Sequence, residues 1–323
     1  MRCVMHRLAL IVTTLALLLQ PGCTSSPAPR RTTLSAQGSP YSLAEPENLP
    51  ERYEIPLLIK DGFLIARGRV NDARPGWYLF DTGSNLTIVD QGLANRIGLP
   101  ELEERSTVGV AGSADFTVRP IERLELGGLD LGQDHVGALS MFPITKGLGV
   151  STQGLIGFNC FGNHPFTIDY KAQKLTLYRR DRFVPPPDAT AVPLVLYRGL
   201  PAVRTTLASR PVLLLLDSGA NNALTLPSSV ATWPGILATG QTSRTIARGV
   251  GGEVHTQSGW LRRLDLFELT LRDLPVTFEP PPPGLTDLRF TIGRLGNELL
   301  SSFRLTFDAP RGVMYVEFLP QSE

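Results

Sequence analysis

The sequence predicts an all-β protein with few, short helices, built as two copies of one β unit. Three observations carry this expectation. From about residue 51, short apolar runs alternate with Gly, Pro and Asn/Asp punctuation at strand-like intervals. Long stretches of helical period are scarce. The same segments then recur in the same order, 136 to 140 residues further on. That period is too long for a solenoid or a propeller, so it marks a duplicated lobe.

The N-terminus reads as lying outside the fold. Arg2 and Arg7 flank the start of the chain, "LALIVTTLALLL" follows, and "QPGC" ends at Cys23. A basic start, a short apolar core and small residues before a Cys read as an export signal over 1–22. The apolar run is too short for an ordinary transmembrane helix. Its end resembles a bacterial lipoprotein lipobox, which implies lipidation of Cys23 and a place on the periplasmic side of the cell envelope. Gln20 and Pro21 depart from the usual residues there. Residues 23–50 are rich in Pro, Ser, Thr and Ala without periodicity and read as a disordered tether.

The first lobe is expected over 51–184 and the second over 193–323, joined by a Pro-rich linker at 185–192. "IPLLIKDG" (55–62) matches "VPLVLYRG" (192–199), and "YLFDTGSNLTI" (78–88) matches "LLLDSGANNALTL" (214–226). Between them, "DQGLANRIGL" is the best helix candidate of the first half, with Asp90 at its start. "VGVAGS" (108–113) matches "RGVGGE" (248–253). "LELGGLDL" (124–131) matches "LDLFELTL" (264–271), with Leu at every shared position. "GLIGFNCFGNHPFTID" (154–169) matches "GRLGNELLSSFRLTFD" (293–308). A second Pro run at 280–283 falls inside the repeat and reads as a variable loop.

Asp-Thr/Ser-Gly after an apolar run is an ordinary turn when it occurs once. Here it occurs in both copies, as Asp81-Thr82-Gly83-Ser84 and Asp217-Ser218-Gly219-Ala220. A duplicated fold with an approximate twofold axis brings equivalent residues face to face, and so pairs two carboxylates. Two close carboxylates share one proton and titrate together. One can then act as general base on a water while the other donates its proton. Such chemistry needs neither a Ser/His/Asp set nor a metal. Four His and no Cys/His cluster give a zinc site no support, and no cofactor is expected.

These motifs resemble the retropepsin-like and pepsin-like aspartic peptidases, over about residues 51–320. The resemblance implies two closed β-barrel lobes of acid-protease type with the active site between them. It makes Asp81 and Asp217 the catalytic pair, and Thr82 and Ser218 the hydroxyls that brace the two loops. Gly83 and Gly219 become the glycines turning under the carboxylates, with Ser84 and Ala220 completing the loops. Gly157 of "GLIG" and Gly296 of "GRLG" become the signature glycines packed beside them. Gly109, Val110 and Gly112, with Gly249, Val250, Gly251 and Gly252, resemble glycine-rich flap tips that close over an extended peptide. Arg294 departs from the pattern, since an apolar residue is usual there. Ser84 opposite Ala220 raises a further expectation, that a Ser84–Asp81 hydrogen bond makes the two acids unequal.

The function expected is therefore an aspartic endopeptidase acting on a peptide or protein substrate, monomeric because both half-sites lie in one chain. The alternative is a non-catalytic protein that grips an extended peptide or envelope partner in the same cleft. A near-neutral balance of 31 Lys+Arg against 30 Asp+Glu gives no case for nucleic acid. Membrane contact is expected only through the N-terminal lipid. Phosphotransfer on an Asp loop is disfavoured, because no P-loop lysine motif follows a strand. Cys160, among apolar residues in "GFNCFG", reads as a buried small hydrophobe with no disulfide partner.

Overall fold

The computed structural model describes residues 49–109, 112–132, 134–146, 148–249, 251–280 and 291–319, with the backbone of 11–12 and 18–19. Cys23, almost all of the 1–22 signal and the 23–50 tether, and the Pro run after Pro280 lie outside the described residues.

The chain is mostly β-sheet. Its helices are short, among them Gln91–Arg96 and Asn297–Leu300. Asp90 caps the first, accepting from the Leu93 amide at 3.1 Å, and its other oxygen accepts from the Met141 amide at 3.1 Å. A side-chain oxygen there satisfies an amide that the helix start leaves unpaired.

An antiparallel sheet joins the two halves. Its strands run in the order Thr190–Pro193, Val313–Phe318, Phe303–Asp308, Phe166–Asp169, Lys174–Tyr178 and Arg52–Lys60. At its centre Thr167 pairs with Thr306, residues equivalent in the repeat, and their hydroxyls lie 2.7 Å apart. The local twofold axis therefore passes between them. Phe166 stacks on Phe307 beside it, with ring centroids 4.7 Å apart.

Each lobe then repeats one strand order. In the first lobe Arg52–Lys60 leads through Phe63–Val70 to Gly76–Asp81, then Thr152–Gly157, Ile88–Asp90, Asp134–Leu139 and the hairpin Gly112–Ile121 with Glu103–Gly109. In the second, Val195–Tyr197 leads through Leu200–Leu207 to Arg210–Leu216. Thr291–Leu295, Leu224–Pro227, Leu269–Glu279 and the hairpin Gly252–Leu266 with Ser243–Gly249 follow. Alternating buried residues along these strands build one core cluster that runs through both lobes, from Ile55 and Phe80 to Leu216 and Phe307. A second apolar layer around Leu79, Leu139 and Leu155 belongs to the first lobe, and a smaller one around Leu213, Leu215 and Ile292 to the second.

The sequence expectation of closed barrels is corrected. Among the described residues both sheets are open paths. The first lobe turns back onto Phe63–Val70 through a separate strand, Leu124–Leu126, after a break at Glu122 and Arg123. There Asn71 Oδ1 accepts both backbone amides, at 2.9 and 3.0 Å, so the break is held by a side chain. In the second lobe Thr205 Oγ1 donates to the Asp265 carbonyl at 2.6 Å where a ladder would close the sheet.

Candidate active site

Asp81 ends the strand Gly76–Asp81, and Asp217 directly follows the strand Arg210–Leu216. Each strand runs parallel to its signature strand, Thr152–Gly157 or Thr291–Leu295. The chain leaves each sheet at the acid, because the neighbouring ladder position is taken by a strand from much later in the lobe. Both acids are buried, Asp81 at 1% exposure and Asp217 at 0%.

The two loops hold each other by four reciprocal hydrogen bonds. The Thr82 amide donates to Ser218 Oγ and the Ser218 amide to Thr82 Oγ1, each at 2.9 Å. Thr82 Oγ1 in turn donates to the Leu216 carbonyl at 2.6 Å, and Ser218 Oγ to the Phe80 carbonyl at 2.9 Å. Each hydroxyl thus both donates to and accepts from the backbone of the opposite lobe's segment. A hydroxyl is the smallest group able to do both.

Within each loop the amide two residues on supports the carboxylate: Gly83 donates to Asp81 Oδ1 at 2.8 Å, and Gly219 to Asp217 Oδ1 at 3.0 Å. A Cβ on Gly83 would collide with Asp217 Oδ1, so glycine is required for the carboxylates to approach across the axis. The signature glycines lie where expected. A Cβ on Gly157 would sit 2.7 Å from the Leu86 carbonyl oxygen, and one on Gly296 would strike the Asn222 carbonyl. The Phe158 amide donates to the Ser84 carbonyl at 2.8 Å, and that of Asn297 to the Ala220 carbonyl at 2.7 Å.

The inner oxygens are therefore bonded, while Asp81 Oδ2 and Asp217 Oδ2 are buried without a hydrogen-bond partner. Burial is the main cause that holds both carboxyls above the ordinary range. For Asp81 the charge of Asp217 adds to it, and the group is pushed well up. Asp217 is raised too, to about 7, by burial, which the Arg294 guanidinium opposes. The arrangement can hold one proton and one negative charge at two unsatisfied oxygens.

Ser84 is placed differently from its sequence reading. Its hydroxyl donates to the Leu86 carbonyl at 2.7 Å and accepts from the Leu86 amide at 3.3 Å, closing its own loop. Only its backbone amide approaches the Asp81 carbonyl, at 3.4 Å. The unequal feature beside the acids lies in the other lobe, at Arg294. This residue is 3% exposed, with Nε 3.5 Å from Asp217 Oδ2 and Nη2 2.5 Å from Glu279 Oε1.

The glycine-rich segments do form hairpin tips. Gly109 pairs with Gly112 and Gly249 with Gly252, while Val110 and Val250 lie outside the described residues. Gly112, Gly251 and Gly252 all have positive φ. The two tips approach one another: a Cβ on Gly112 would lie 3.8 Å from the Gly251 carbonyl oxygen.

Several contributors escaped the sequence reading. Asn85 Nδ2 donates to the Arg198 carbonyl at 3.3 Å, and Asn221 Nδ2 to that of Asp61 at 3.4 Å. Each first-hairpin turn thus grips the active-site loop of the opposite lobe. The matched "KDG" and "YRG" ends were visible as a repeat, but nothing in them named a partner. Asn297 donates to the Ser218 carbonyl at 2.6 Å and accepts from the buried Tyr170 phenol at 2.7 Å. Glu279 carried one signal, an acid ending the apolar run "LPVTFE" as Asp81 ends "WYLFD". Cys160 is buried, with Sγ 2.8 Å from Thr87 Oγ1.

Comparison with known families gives a match to the family described as aspartyl protease, at residues 66–160 and 203–298, more than half of the chain. The two stretches contain one Asp-Thr/Ser-Gly loop each. No curated protein matches the chain.

Proposed function

This chain belongs to the aspartyl protease family with a duplicated domain, and on that premise we propose that it is an aspartic endopeptidase of the two-lobed, retropepsin-like kind. The observation that carries this reading is the buried Asp81/Asp217 pair, with Thr82 and Ser218 locked reciprocally beneath it. A peptide in extended form lies between the pair and the two hairpin tips, its backbone hydrogen bonds offered to strand edges.

The reaction needs one carboxylate and one carboxylic acid. The carboxylate takes a proton from water as its oxygen attacks the peptide carbonyl carbon, and the acid gives its proton to the carbonyl oxygen. The resulting gem-diol collapses as a proton passes to the amide nitrogen and the C–N bond breaks. Burial supports this step, because a low-dielectric site keeps two acids from both ionising.

The proposal includes export by the 1–22 signal, attachment through lipid on Cys23 and action as a monomer at the periplasmic face. The first test is cleavage of a random peptide library by wild type, Asp81→Asn and Asp217→Asn. Each substitution should lower kcat/KM at least about a thousandfold, since neither half of the pair acts alone. Cleavage that persists in both variants would sink the proposal, and binding without cleavage by the wild type would favour a peptide-gripping module. Mass spectrometry of the mature N-terminus should find a diacylglyceryl-modified Cys23; an unmodified N-terminus elsewhere would refute the anchor.

A further inference from the structure

The local twofold symmetry fails most sharply at one buried place. Leu155 pairs with Leu79 in the first lobe, as Arg294 pairs with Leu215 in the second. Leu139 lies two residues past the Gly137–Ile88 pair, as Glu279 lies two past the Thr277–Thr225 pair. Leu139 and Leu155 thus correspond to Glu279 and Arg294. The first lobe packs this position with two leucines in its apolar layer. The second lobe packs it with an ion pair, both members of which are at most 3% exposed.

Such a pair is a poor source of stability, because desolvating two charges costs about as much as their attraction returns. The first lobe shows that this framework packs leucines there without it. What the ion pair adds is a charge beside one acid only. Arg294 Nε lies 3.5 Å from Asp217 Oδ2, the oxygen that lacks a hydrogen-bond partner, while Glu279 grips the far side of the guanidinium. The groups facing Asp217 are Asp81 across the axis, Arg294 on the neighbouring strand, Glu279 behind it and the Tyr170 phenol from the interlobe sheet. Of these only Arg294 is a cation. Its distance favours charge on the nearer carboxylate.

We propose that Arg294, held by Glu279, is a positioning residue that keeps the shared proton on Asp81 and the negative charge on Asp217. Asp217 is then the base toward water and Asp81 the acid toward the carbonyl oxygen. This assignment rests on the peptidase reading, whereas the charge order itself does not.

The test is a carboxyl-carbon NMR titration of protein labelled at Asp Cγ, with Asp81→Asn and Asp217→Asn assigning the two resonances. In wild type the lower midpoint should belong to Asp217. In Arg294→Leu/Glu279→Leu, which copies the first lobe, the Asp217 midpoint should rise by about one pH unit or more. Arg294→Lys should keep the wild-type order. Arg294→Gln/Glu279→Gln makes the same demand as the leucine pair should that variant not fold. A lower midpoint on Asp81 in wild type overturns the assignment, as does an Asp217 midpoint unmoved in both double variants. The titration needs no substrate. A protein that cleaves no peptide yet shows this order refutes the peptidase reading alone.

Discussion

Asp81 and Asp217 occupy equivalent places in two copies of one loop, yet their surroundings are unequal. Activity needs one carboxyl ionised and the other protonated, so it should rise with pH as the pair loses its first proton. With Asp217 held at about 7 and Asp81 well above the usual range, we expect kcat/KM to climb through about pH 7. It should fall only at higher pH, when the second proton leaves. A profile of kcat/KM against pH on any cleaved peptide checks this, and an optimum below pH 5 would contradict it. Stability follows the opposite sign. A carboxyl raised on folding binds its proton more tightly in the native state, so its contribution is present at low pH and is lost as pH rises. For Asp217 the window runs from about 4, the unfolded value, to about 7. Urea midpoints should therefore drop across that window in wild type, and Asp217→Asn should flatten the drop. Equal slopes in both proteins would refute the linkage.

At the scale of elements, the two active-site loops are one structure contributed by two distant segments. Thr82 and Ser218 each donate to and accept from the backbone of the opposite lobe's segment. Thr82→Val keeps the shape but leaves the Ser218 amide without its acceptor. It should destabilise by roughly 1–3 kcal/mol, the cost of an unmet buried hydrogen bond, measured by urea unfolding at fixed pH. Ser218→Ala should cost about as much by symmetry, and an effect confined to one side would show that the bracing is not reciprocal. The sequence displayed both hydroxyls because each follows its Asp directly. It did not display Asn85 and Asn221, whose partners are turn carbonyls 113 and 160 residues away. A side chain donating to a backbone carbonyl leaves no residue-type signature at the acceptor.

For the whole molecule, the interlobe sheet ties the halves together. Arg52–Lys60 belongs to both that sheet and the first lobe, while Phe303–Asp308 and Val313–Phe318 come from the second lobe and Thr190–Pro193 starts within the expected linker. The lobes should consequently unfold together. Trp77 lies in the first lobe, Trp233 and Trp260 in the second. Fluorescence transitions of variants keeping Trp77 alone or Trp260 alone should coincide in urea, and separated midpoints would show independent lobes.

By itself the sequence determined the duplication, the β-rich class and the two Asp-bearing loops, because each rests on local pattern or on a repeat that alignment exposes. It also determined where glycine is needed, since a backbone turning under a carboxylate admits little else. Only the tertiary structure decided that the sheets stay open, that Ser84 serves its own loop, and that Arg294 and Glu279 form a buried pair beside Asp217. Those outcomes depend on which distant strands become neighbours. An Arg in an apolar signature looks like a flaw along the chain. Once Leu215 and Thr225 flank it and Glu279 meets it, it becomes a buried cation beside Asp217.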